Sequence, residues 1–145
     1  MTNIASVADV LEREVGPTIK EWLRRVNLVP ELIQIPLSDA DRTNHLPKLF
    51  HDVICRLRLV KVAPWPVSPA AAKHGALRYR QGYSASMLIE ESRVLQAVTF
   101  RTVHLHQSEL DQNQLLSSIM IIADEVEAQL MEAVRSLMDA KQVAA

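Results

Sequence analysis

Apolar residues recur three and four positions apart along most of this chain, the spacing of one face of an α-helix. Ile4, Val7, Leu11, Val15, Ile19, Trp22 and Val26 form the first such stripe. Gly16-Pro17 interrupts it, which predicts a kink or two short helices, because proline breaks a helix's hydrogen-bond ladder. Asn27–Asp39 carries two prolines and reads as a connection, with Ser38 or Asp39 capping the next segment. The second stripe is Leu46, Phe50, Val53, Leu57 and Val60, with Pro47 near its start, where a missing amide is harmless. The proline-rich run "VAPWPVSPAA" marks the next break, and Ser68-Pro69 supplies a cap followed by proline at the first helical position.

A helix is then expected from Pro69 to about Gln81, closed by Gly82, which can take the left-handed conformation past a helix end. Ser84 starts the next helix as its cap, with Tyr83 and Leu88 at the two positions of a hydrophobic staple. That helix carries Met87, Leu88, Val94, Leu95, Val98 and Leu105 as its stripe. The last stripe, Leu115, Ile119, Ile122, Val126, Leu130, Ala133 and Leu137, comes after a start near Ser108 and meets no glycine or proline. It predicts a long C-terminal helix with a coiled-coil-like seam. About five helical segments without strands make an all-α protein, a single helical bundle over residues 1–145.

Composition narrows the function classes. Hydrophobic residues are 48% and charged residues 23% of 145, which fits a globular domain able to bury a core. The formal net charge of −1 offers no field for nucleic acid, and "ICRLRLVK" and "RYRQ" read as solvated basic helix faces. The N-terminal stretch has acids where a signal peptide has a basic region, and no segment is apolar enough to span or insert into a membrane. With one cysteine, Cys55, read as a structural thiol without an evident base, the expected location is cytoplasmic.

The polar residues within these stripes are the candidate chemistry. Gly75 falls in mid-helix, where glycine costs about 1 kcal/mol relative to alanine, so close approach of another helix or a ligand is expected there. His74 and Arg78 are four apart and share a helix face. Glu91 lies in the apolar stripe of the next helix, and a carboxylate facing a core must be paired or shift its pKa. The two helices meet at the Gly82 corner, so His74, Arg78 and Glu91 are predicted to form a partly buried polar cluster. It either fixes how the helices dock or binds a signal and responds to it.

His74-Gly75, Arg78, Gly82-Tyr83, Glu91 and Leu95, preceded by "HLPKLF", resemble the N-terminal domain of RsbRD-type stressosome co-antagonists. Similar domains stand at the front of some bacterial sensor histidine kinases and transcription regulators. The resemblance runs from about Trp22 to Leu137 and is clearest over Leu46–Leu95. It implies a helical cytoplasmic input domain joined to a C-terminal output module. It also implies kinship in role with haem-free globin-like domains, so a globin-like bundle is an alternative to a plain one.

Other chemistries lack their residues. None of the five histidines has a glutamate three positions before it, as di-metal bundles require, and no H-E-x-x-H occurs. His104 and His106 point to different sides of a helix and read as solvated. His74 or His51 would be the haem ligand, but two phenylalanines give little to line a porphyrin pocket. Three glycines cannot build a phosphate loop. The expectation is therefore a non-enzymatic sensory module with no cofactor or metal, forming a homodimer and relaying an unknown small-molecule or protein signal. The tail "LMDAKQVAA" has no helix stop, which favours continuation into an output domain. The alternatives are a small-ligand carrier with a pocket at His74, Arg78 and Glu91, and an enzyme using Glu91 and His74 as acid and base.

Overall fold

The computed structural model describes residues 4–59 and 65–145, and among these every regular element is helical. In chain order they are α1 (Val7–Arg13), α2 (Val15–Val26), α3 (Pro30–Ile33), α4 (Asp39–Thr43), α5 (Leu46–Arg58), α6 (Pro69–Arg80), α7 (Ala85–Leu105) and α8 (Gln112–Ala144). Five of them, α2 and α5–α8, have 12 residues or more and correspond to the five predicted segments. The other three are one- or two-turn helices. Two of them, α3 and α4, lie in and just after the stretch read as a connection. Val60 and the start of the proline-rich run, through Pro64, lie outside the described residues.

Local chemistry explains most boundaries. The first stripe does break, but at Glu14, so that Gly16 and Pro17 fall in the first turn of α2 where the missing amide donor is harmless. Ser38, rather than Asp39, caps α4 by accepting from the Asp41 amide at 3.1 Å. Ser68 accepts from the Ala71 amide at 3.1 Å, with Pro69 as the first residue of α6. At the end of α6, Gly82 has φ +99°, its amide donates to Tyr79 O at 3.0 Å, and the Tyr83 amide donates to Arg78 O at 2.9 Å. That pair of bonds is a Schellman closure, and it needs a residue tolerant of positive φ. Ser84 then caps α7. The last helix starts later than Ser108. A 3₁₀ turn, Gln107–Glu109, comes first, held by the Ala5 amide donating to Glu109 O at 2.8 Å, and Asp111 caps α8.

Helix α8, 33 residues and therefore about 50 Å long, is the spine. It packs most extensively on α6 and also on α7 and α5, while α2 lies on α7 and α1 on α5 and α7. Two apolar clusters lie along it. One centres on Trp22, Leu46, Phe50, Leu88, Leu95 and Leu137, the other on Val10, Leu11, Val53, Val103, Ile122 and Val126. The predicted seam thus faces this domain's own core, with Ile122, Val126, Ala133 and Leu137 buried, so it is not left for a partner helix. A second row on α8, Leu116, Met120, Met131 and Met138, is exposed instead.

Gly75 is where α6 and α8 come closest. A Cβ built on it would sit 2.0 Å from the Ala133 carbonyl oxygen, so helix packing accounts for this glycine. One turn away, Ser136 Oγ donates to Ala72 O at 2.6 Å. Gly75→Ala should therefore lower stability despite its better helix propensity, by about 1–3 kcal/mol or more, because backbone must move to admit a methyl group. Urea denaturation of the two proteins checks this; an equal or higher midpoint for the variant would contradict the close contact.

Candidate functional site

The Schellman corner joins α6 to α7, and His74, Arg78 and Glu91 come together across it. Arg78 is fully buried and Glu91 is 3% exposed. The guanidinium meets the carboxylate side-on, with Nε 3.1 Å from Oε1 and Nη2 3.1 Å from Oε2. Tyr83 donates its hydroxyl to Oε2 at 2.7 Å, and His74 Nε2 lies 3.4 Å from Oε1. Two-point contact from arginine suits a desolvated carboxylate, since it satisfies both oxygens in one plane. Arg78 also stands over the Tyr83 ring, 4.8 Å from its centre, and donates to Gln81 Oε1 and Arg42 O.

Of the corner residues, Gly82 and Ser84 serve as closure and cap, while Tyr83 does more. It is buried in the same apolar cluster as Leu88, and its hydroxyl links Glu91 to a second guanidinium. That guanidinium belongs to Arg42, which is 3% exposed and donates to Tyr83 Oη at 3.0 Å, Ile35 O at 2.7 Å and Leu32 O at 3.3 Å. Sequence reasoning missed Arg42. Its position four residues before Leu46, in line with the second stripe, is the signal that could have found it.

His45 was missed as well. It caps α5 in position only, without a side-chain bond to the first turn. Its ring lies flat on that of His74, with centres 3.6 Å apart and planes 10° apart, and meets the edge of Trp22 at 5.8 Å. Trp22 in turn donates Nε1–H to the Glu91 backbone oxygen at 3.2 Å.

Electrostatics follow from burial and charge. Desolvation pushes the His45 pKa well below its usual value, helped by His74 and Arg78. Desolvation likewise lowers His74, partly opposed by Glu91. For Glu91, burial raises the pKa, but the bond from His74, the charge of Arg78 and the bond from Tyr83 outweigh it and leave the carboxyl below its usual range. Burial pushes the Tyr83 phenol up, and the Glu91 charge adds to this. Near neutral pH the cluster thus holds an ionised Glu91 on the Arg78 guanidinium, with neutral imidazoles beside it.

His45, His74 and Glu91 each offer a ligand atom, all within 4.8 Å of one another. The stacking works against convergence on one ion. A metal binds in the plane of an imidazole, and two parallel planes 3.6 Å apart do not share such a point. A porphyrin does not fit either. The cavity bordered by Trp22, His45, His74, Glu91 and Gln129 is about 30 Å³, room for a water or two. The two buried side-chain atoms without a hydrogen-bond partner among the described residues, His74 Nδ1 and Gln129 Oε1, belong to its lining residues.

His106, expected in solvent, bonds Glu109 at 2.9 Å and approaches Arg13 at 3.3 Å, whereas His104 is exposed. Arg56, expected on a solvated face, pairs with Asp124 and with buried Glu125. Half-buried Cys55 has His51 Nε2 as a neighbour at 3.4 Å, one turn earlier on the same helix, a spacing that the sequence carried and the reading of Cys55 without a base missed. No described helix is long and apolar enough to cross a membrane. No protein-family model, curated protein or solved structure matches the chain.

Two outcomes are expected. Glu91→Gln should cost about 3–5 kcal/mol in denaturant unfolding, because it strands the Arg78 charge in the interior. Acid should weaken the fold early. Both imidazoles bind protons more readily in the unfolded chain, so stability falls as pH drops below about 6.5, by at most about 1.4 kcal/mol per pH unit for each histidine. Glu91, depressed in the fold, adds its own loss only below about pH 4.5. Unfolding curves at a series of pH values read this directly, and a flat profile from neutral pH down to the carboxylate range would contradict the neutral stack.

Proposed function

We propose that this chain is a non-catalytic signal-input domain of a bacterial signal-transduction protein, acting in the cytoplasm. Its output passes along α8 to an output module such as a histidine kinase. The carrying observation is that α6, which holds His74 and Arg78, touches the α8 backbone at Gly75 and Ala133. A rearrangement of the charge cluster would have to move α6, and α6 has no slack against α8. Packed helices of this kind shift between discrete arrangements rather than deform continuously. The resemblance to the RsbRD-type stressosome domain and to kinase-linked relatives supports the same role.

Catalysis by Glu91 and His74 is disfavoured by their burial and by the carboxylate's full set of donors. A carrier pocket at the cluster is disfavoured by the roughly 30 Å³ of space there, against the several hundred that organic ligands occupy. Dimerisation belongs to the proposal through the exposed Leu116, Met120, Met131 and Met138 row of α8, since the inner stripe is occupied.

Hydrogen exchange tests the relay. Tyr83→Phe, which loosens the cluster without removing its charges, should speed amide exchange at the corner and also in α8 around Ala133–Leu137. Acceleration confined to residues 78–95 would reduce the cluster to a local joint. Sedimentation tests the dimer: Met131→Glu should lower the mass at high protein concentration, and a wild type that stays monomeric there would remove the dimer.

A further inference from the structure

Against the His45–His74 stack lies an open cleft of about 200 Å³, bordered by Asp41, Asn44, Lys48 and Lys73 as well as by the two imidazoles. Its charge balance is unusual. Among the described residues every ion pair is made by an arginine or a histidine, and neither Lys48 nor Lys73 takes part in one. Lys48 and Lys73 at the cleft and Arg78 beside His74 therefore give three cations around the stack, against two carboxylates, Asp41 and Glu91.

Three further features point the same way. Lys48 stands in the first turn of α5, with His45 at its N-cap position and Asn44 just before it, so the positive end of this 13-residue helix lies at the cleft. His45 in the N-cap position makes no side-chain bond to that turn. His74, 7% exposed, lines the cleft as well as the smaller cavity, and its Nδ1, which has no partner among the described residues, is free to take up a proton.

We infer that this cleft binds a small oxyanion, a carboxylate or phosphate group, between Lys48 and Lys73 over the stacked imidazoles. The anion would favour protonation of the stack, since a negative charge beside an imidazole stabilises its cationic form. The groups facing the stack are Trp22 from α2, Asp41 from α4, Lys48 from α5, Lys73 and Arg78 from α6, and Glu91 from α7. Of these, only Asp41 and Glu91 now offset the cations. Binding and proton uptake are thereby linked, and affinity rises as pH falls. A charge arriving at His74 is felt by Glu91 and Arg78, which makes the anion a candidate signal; that last step, and only that step, rests on the relay reading.

The test is titration of the intact chain with sodium sulfate at constant ionic strength, followed through the ring resonances of His45 and His74. Sulfate keeps its charge across the range in which histidine titrates, so any pH dependence belongs to the protein. Saturable shifts of both rings are expected, with affinity rising by up to about tenfold per pH unit for each proton taken up. The exposed double variant Lys48→Gln/Lys73→Gln should bind at least tenfold more weakly while unfolding as the parent does. Acetate and inorganic phosphate, compared at one pH, assign the carboxylate or the phosphate class by which binds tighter. Shifts that do not saturate, that chloride reproduces, or that survive in the double variant would mean an adventitious ion only and overturn the site. Affinity independent of pH would overturn the part given to the imidazoles. Binding as expected with no change of exchange in α8 would sink the relay and leave the site standing.

Discussion

A carboxylate and a guanidinium face each other inside this protein, both out of water, and the arrangement of the surrounding helices follows from the need to keep them paired. Either charge alone in that interior would be prohibitive. Glu91 can be ionised there because His74 and Tyr83 each supply a donor and Arg78 meets both its oxygens. Arg78 can be buried only because Gln81 and the backbone of α4 take its remaining hydrogens. These demands fix the angle of the α6–α7 corner and draw α4 onto it.

The same pair explains the two imidazoles. With Arg78 nearby and both rings largely desolvated, a further positive charge is unfavourable, so the rings remain neutral and lie face to face. Both imidazoles border the small cavity at the cluster and also the cleft with its two lysines. A neutral, stacked pair of histidines between a buried ion pair and an open cationic cleft is sensitive to anything that changes the local charge. In the proposed relay, the close packing of α6 on α8 is the element through which such a change would pass.

Much of the fold was legible in the chain, for identifiable reasons. The five longer helices follow from apolar periodicity, and their ends follow from residues whose roles are local: Ser38, Ser68 and Ser84 as caps, Pro47 and Pro69 in first turns, and Gly82 at positive φ. The His74, Arg78 and Glu91 association was legible because two of its members lie one turn apart and the third interrupts an apolar stripe just past a corner. The short helices were not, since one- and two-turn segments have no periodicity to detect.

The sequence by itself thus determined the all-α class, the corner, its caps, and the presence of a charge that had to be paired, because each depends on residues within a turn or two of one another. The tertiary structure alone decided that Arg42 and His45 join that charge and that Gly75 meets Ala133. It also decided that the long stripe of α8 is spent on the domain's own core while Met120 and Met131 stay outside. These depend on which faces meet across helices far apart in the chain. Hydrophobic spacing says that a face is buried, and only the packed structure says against what.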